Sequence, residues 1–168
     1  MTSDQIDGIE ASLKRLATRM PDVPVDGILL MRLLLFLGQH VGMMLDHLIR
    51  PFGLSEGEFR VLTALFSQPD GTAHPGELCP QASQSPANMS RISDALVSRE
   101  LITRDTSALD RRRTVLRITD KGSDLVRRLL PATFQSLREL VTVLSDAEQR
   151  QLIGQLKRMA AKVDKVRC

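Results

Sequence analysis

Residues 26–50 constrain this chain more than any other stretch. Leu29, Leu30, Leu33, Leu34, Phe36, Leu37, Val41, Met44, Leu45 and Leu48 recur at helical spacing, yet they cover more than one face of the helix they imply. A helix that is apolar on two sides must be covered on two sides, and a chain of 168 residues has few other elements to do it with. One side is therefore expected to meet a second copy of the chain. The longest apolar run, Ile28–Leu37, is interrupted by Arg32 and reads as too short for a bilayer, which takes about 20 residues. No membrane segment is expected. The first twenty residues carry Asp4, Asp7 and Glu10 and lack the continuous apolar stretch of a secretion signal, so the expected location is the cytoplasm. Two cysteines, Cys79 and Cys168, cannot build a disulfide framework.

Helical patterns dominate elsewhere too. Ile6, Ile9, Leu13, Leu16 and Met20 mark a first amphipathic helix that stops before Pro21 and Pro24. Ser55 and Glu58 have the spacing of a capping box and open a third helix. After the turn Gln68-Pro69-Asp70-Gly71, a short helical piece covers about residues 75–82, and Ser85-Pro86 then supplies an N-cap with proline at the first helical position. Met89, Ile92 and Leu96 form the apolar stripe of that new helix. Pro86, Ala87, Ser90, Arg91 and Asp94 are left pointing outward, with Asn88 on the flank. Two β-like runs follow, Leu101–Arg104 and Val115–Ile118, joined by a polar tip that holds Asp110-Arg111-Arg112-Arg113. Thr119 then caps a long helix marked by Leu125, Leu129, Leu137, Leu140 and Leu144, with Pro131 inside it as a kink point. A second capping box, Ser145 to Glu148, starts a last helix carrying Leu152, Leu156, Met159 and Val163.

Charge is concentrated where the pattern changes. The chain has a net charge of +3, and residues 84–118 hold seven arginines against four acids, which equals that whole net charge. Arginine suits bidentate contact with phosphate and guanine, although a solvated face would look the same by composition alone. The local order settles the reading: helix, helix with a small cationic outer face, then hairpin with an arginine-rich tip. This is a mostly α fold with a small β-hairpin wing, a winged helix-turn-helix with N- and C-terminal dimerisation helices. Its expected organisation is an arm and dimerisation helix over 1–50, a DNA-binding lobe over 51–122 and C-terminal dimerisation helices over 123–168, one intertwined domain. An α-helix fits the major groove, and a basic hairpin tip can reach the neighbouring minor groove or backbone.

The stretch Asp110-Arg111-Arg112, together with Leu116-Arg117-Ile118-Thr119-Asp120-Lys121-Gly122, resembles the wing signature of the MarR transcriptional regulators: Asp-x-Arg, apolar alternation, then Leu/Ile-Thr-x-x-Gly. Pro75-Gly76-Glu77-Leu78 is similar to the first helix of that family's reader pair, and Ser90-Arg91-Ile92 with Leu96 to its recognition helix. The proline-bearing arm, the leucine-rich helix around Arg32 and Leu130-Pro131 are most similar to the EmrR/MprA branch, repressors of multidrug efflux operons. The resemblance implies a regulator that binds a pseudo-palindromic double-stranded operator as a homodimer. Ser85, Pro86, Ala87, Asn88, Ser90 and Arg91 would face bases and phosphates, and Arg111, Arg112 and Arg113 would sit on the wing. Asp110 would pair with Arg112 and organise the tip. The resemblance further implies release by a small lipophilic or aromatic effector, in a cleft between the dimerisation helices and the reading lobe. Phe36, His40, Met43, Phe59 and Phe66 are the residues that could line it, and plain core packing accounts for each of them as well. Two positions depart from the family pattern. Glu100 stands where the family has glycine, so a left-handed cap there would cost about 1 kcal/mol, and Pro80 falls inside the short first helix.

Other chemistries fit less well. His40 and His47 share a helix face and, with His74 and Cys79, raise the idea of a metal sensor, but they form no close ligand pair. Cys79 reads as a packed, inert thiol, and no cofactor is implied. There is no nucleophile elbow, phosphate loop or metal motif, so an enzyme is not expected. From another class, a non-specific architectural DNA-binding or dimerisation protein without a ligand switch stays open; it would bind random duplexes nearly as well as its own promoter region.

Overall fold

A computed structural model describes residues 3–106 and 114–166. The helices are α1 (Ser3–Arg19), α2 (Val25–Ile49), α3 (Glu56–Phe66), α4 (Pro75–Gln81), α5 (Pro86–Ser98), α6 (Asp120–Val141) and α7 (Asp146–Val166), with a 3-10 turn at Arg50–Phe52. Three strands accompany them: β1 (Thr72–Ala73), β2 (Ile102–Thr106) and β3 (Thr114–Ile118). The chain divides into two compact units, residues 1–59 and 60–168.

In the first unit α1 packs along α2, and Leu13 is the buried residue of α1. The α2 helix is one unbroken run of 25 residues. The helical stretch Val25–Phe52 is long and apolar enough, by length and composition only, to cross a membrane, with a mean hydropathy of 1.8 over an 18-residue window. The helix extends the run Ile28–Leu37 in both directions, continuing past Arg32 to Ile49 without a break. Leu30, Met31, Leu35, Leu37 and Met43 are exposed on it. The Ser55 box forms as expected, with the Glu58 carboxylate accepting from the Ser55 N–H and hydroxyl at 2.7 Å each.

The core of the second unit is built from Val61, Leu62 and Leu65 of α3, Leu78 of α4, Met89, Ile92 and Leu96 of α5, and Leu125, Val126 and Leu129 of α6, with Ile102 and Leu116 from the sheet. The sheet is antiparallel in the order β1-β3-β2, so it has three strands and not the two of the expected hairpin. Two-residue β1 pairs Thr72 with Arg117 and Ala73 with Leu116, and nothing so short leaves a sequence pattern. In α6 the apolar stripe splits: Leu125 and Leu129 are buried, whereas Leu137 and Leu140 are exposed, as are Leu152, Leu156 and Val163 on α7. Ser145 and Glu148 form the second capping box.

The Thr-x-x-Gly part of the wing signature acts as a latch. The Thr119 N–H donates to the Leu101 carbonyl at 3.1 Å, and its hydroxyl donates to the Glu100 carbonyl at 2.8 Å while accepting the Gly122 N–H at 3.0 Å. This joins the end of α5 to the end of β3 and the start of α6. A Cβ at position 122 would overlap the Leu101 carbonyl oxygen, a backbone atom that cannot swing aside. Gly122→Ala is therefore expected to destabilise the fold by about 3 kcal/mol, at the upper end for overpacking. Urea unfolding of both proteins, compared by midpoint at equal slope, measures it.

Candidate nucleic-acid interface

Helices α4 and α5 are joined by local hydrogen bonding that involves the carbonyls of Cys79 and Pro80. The Ser83 N–H donates to the Pro80 carbonyl and the Gln84 N–H to the Cys79 carbonyl at 2.8 Å, with Ser83 left-handed at φ 53. These are the two bonds of a Schellman stop, so Pro80 is accommodated within the last turn of α4 and supplies one of the accepting carbonyls. Ser85 then caps α5, its hydroxyl accepting the Asn88 N–H at 3.3 Å. At the other end α5 stops in the same way. The Glu100 N–H donates to Val97 and the Leu101 N–H to Leu96, and Glu100 is left-handed at φ 59. Glutamate thus adopts the left-handed cap at this position. Lys121, hydrogen-bonded to the Glu100 carboxylate at 2.9 Å, anchors that residue and holds its carboxyl below the ordinary range.

On α5, Met89, Ile92 and Leu96 are buried, while Ser85, Pro86, Ala87, Ser90, Arg91 and Asp94 are exposed or half-exposed and Asn88 is half-buried. A chain of side-chain hydrogen bonds runs along this face. Gln84 accepts from the Asn88 amide, and the Asn88 carbonyl oxygen accepts from the Arg91 guanidinium at 2.8 and 3.2 Å. One turn further on, Arg104 of β2 reaches back to Asp94 at 2.9 Å. Sequence alone does not single out Arg104 as a site residue, because its tie to α5 depends on how the strand packs against the helix. A cleft of about 240 Å³ lies between α4, α5 and the strands, lined by Cys79, Met89, Ser90, Arg104 and Thr114 among others. Cys79 is half-buried there. Asp110, Arg111, Arg112 and Arg113 lie outside the described residues.

The candidate effector residues are distributed over both units. Phe36 and His40 pack ring against ring with centroids 3.8 Å apart, and His40 Nδ1 is 2.9 Å from the Phe36 carbonyl, so the imidazole is tied to its own helix. Met43 is exposed on α2, and Phe59 is half-buried on α3. Phe66, in the second unit, carries the Arg127 guanidinium 5.6 Å from its ring centre. His74 Nδ1 is 2.8 Å from the Thr114 carbonyl, a bond that ties the start of α4 to β3. Among the described residues no group of three or more potential metal ligands is present.

The sequence pattern of the MarR family matches residues 54–114. Over 158 residues, 94% of this chain and 90% of the relative, the chain is 32% identical to the transcriptional repressor MprA of Escherichia coli K12. The chain belongs to the MarR family. The HTH-type transcriptional repressor YetL of Bacillus subtilis is 26% identical over 67% of each chain. Among solved structures, Sco3205 of Streptomyces coelicolor, a MarR family regulator in complex with DNA, superposes with a TM-score of 0.76 at 21% identity, covering 83% of this chain and 88% of that one. A cysteine-to-serine mutant of E. coli MarR complexed with operator DNA gives 0.71 at 24% identity, covering 82% and 98%. The fold is thus the MarR winged helix-turn-helix, and the relatives are transcriptional regulators, not enzymes. In this MarR protein the Ser85 hydroxyl takes up an otherwise unpaired N–H in the first turn of α5, so Ser85→Ala is expected to cost about 1 kcal/mol and Ser85→Gly only a few tenths, read by thermal unfolding of the two variants.

Proposed function

We propose that this MarR protein is a homodimeric, ligand-responsive repressor that reads a pseudo-palindromic operator controlling an efflux or stress-resistance operon in the cytoplasm. The observation that carries the reading is the outward face of α5, where Ser85, Pro86, Ala87, Asn88, Ser90 and Arg91 are small or polar and Arg91 is held ready by Asn88. A helix with small residues in its first turn can approach base edges closely, and an oriented guanidinium loses little freedom on reaching guanine. The wing residues Arg111, Arg112 and Arg113 supply backbone or minor-groove contacts in this reading, with Asp110 organising them.

A footprint on the DNA flanking its own gene tests the proposal directly, with protection of an inverted repeat as the expected result. Arg91→Ala should weaken binding to that repeat by about 1–3 kcal/mol while changing a scrambled duplex little, whereas Arg112→Ala should weaken both alike and lower the salt slope by about one. Comparable binding of repeat and scrambled duplex by the unaltered protein would favour the architectural reading instead.

The exposed apolar residues support the dimer. They lie on α2 and again on α6 and α7, near both ends of the chain, which is more surface than a single bilayer-crossing helix would explain. In this organisation residues 1–50 and 123–168 form the seam and 51–122 the lobe that reads DNA. Replacing Leu152 and Leu156 together with Glu should convert a dimer into a folded monomer with weakened operator binding, measured by light scattering and gel shift. A variant that stays dimeric would place the seam elsewhere, and partition of the unaltered protein into phospholipid vesicles would point to lipid.

The switch follows from linkage. A ligand that favours a lobe spacing mismatched to two half-sites weakens DNA binding, and DNA weakens ligand binding equally. Lipophilic weak acids and aromatic compounds suit apolar, adaptable side chains with one polar group among them, the chemistry that Phe36, His40, Met43, Phe59 and Phe66 offer.

A further inference from the structure

Asp94 sits on the exposed face of α5, one turn beyond Ser90 and Arg91, where a carboxylate would repel the phosphates that the rest of the face is suited to meet. Its partner comes from another element. Arg104, whose position on β2 pairs with Leu116 of β3, turns its guanidinium to within 2.9 Å of the Asp94 carboxylate. Both side chains are substantially exposed, at 39% for Arg104 and 63% for Asp94, so the pair contributes little to folding stability. Its geometry acts on two other quantities. It neutralises the acid on the reading face, and it ties the hairpin to α5 beside Ser90 and Ser93, which line the same cleft as Arg104.

We infer that the Asp94–Arg104 pair is a specificity-determining clamp: Arg104 is withheld from the phosphate backbone so that hairpin and reading helix meet DNA at one fixed spacing. The inference rests on the operator-binding reading above. Freed from Asp94, Arg104 becomes a mobile cation beside the DNA surface and adds a contact that carries no sequence information. Discrimination then falls even as non-specific affinity rises.

The test measures affinity across a salt series for the footprinted inverted repeat and for a scrambled duplex of equal length. Asp94→Asn is expected to raise affinity for the scrambled duplex, steepen its salt dependence by about one, and lower the repeat-to-scrambled ratio by about three- to five-fold. Arg104→Ala, which leaves the carboxylate unpaired on the face, is expected to weaken both duplexes. The double exchange Asp94→Arg with Arg104→Asp should recover most of the lost ratio, which distinguishes a clamp from base reading by Asp94 itself. Thermal unfolding should be nearly unchanged in all three variants. The inference is overturned if Asp94→Asn leaves the ratio and salt slope as they were, or if the exchange fails to restore discrimination in a folded protein. Absence of specific binding by the unaltered protein would overturn the operator reading and this inference together, whereas specific binding indifferent to all three variants overturns the clamp alone.

Discussion

The carbonyl of Leu101 is the atom on which the winged helix-turn-helix depends. It accepts the Thr119 N–H at 3.1 Å and lies against the hydrogen-only face of Gly122, so the end of α5, the start of β2, the end of β3 and the start of α6 converge on one peptide group. Close backbone approach of this kind admits no side chain, because a Cβ there would overlap the oxygen. Once it forms, the direction of strands β2 and β3 relative to α5 is set. The left-handed Glu100 is carried by the same junction, with its peptide carbonyl bonded to the Thr119 hydroxyl and its carboxylate to Lys121.

Around that junction, charges are assigned in pairs and chains. Gln84, Asn88 and Arg91 are linked along one face of α5, and Asp94 is matched by Arg104 from the sheet. Such contacts add little to stability in water, since exposed pairs gain modestly and lose side-chain freedom. In the proposed reading their effect is to fix where cationic and polar groups stand before DNA arrives, which lowers the ordering cost of binding. The stability of the lobe comes instead from the apolar stripe behind that face, where Met89, Ile92 and Leu96 are buried together with Leu62, Leu78 and Leu116.

The helices outside the lobe show the opposite balance. Residues of α2, α6 and α7 that have the same periodic apolar pattern as the core are exposed in a single chain, among them Leu35, Leu140 and Leu156. In the proposed reading this surface belongs to the seam between two copies, and the spacing of two reading helices follows from it. A regulator that responds to a ligand then needs only a change in that spacing, since half-sites stand about one helical turn apart and tolerate little error.

The sequence by itself determined the elements whose signals are local. The capping boxes at Ser55 and Ser145, the N-caps at Ser85 and Thr119, and the stripe of Met89, Ile92 and Leu96 depend on spacings of three and four residues, and each is found where that spacing puts it. The outward face of α5 was legible for the same reason, being what the stripe leaves over. Tertiary structure alone decided the rest. Strand β1 is too short to carry a pattern, and Arg104 meets an acid on another element. In α6 one periodic stripe is buried at Leu129 and exposed at Leu137. Periodicity reports which face of a helix is apolar, but what lies against that face is set by the packing of distant segments, and no local spacing encodes it.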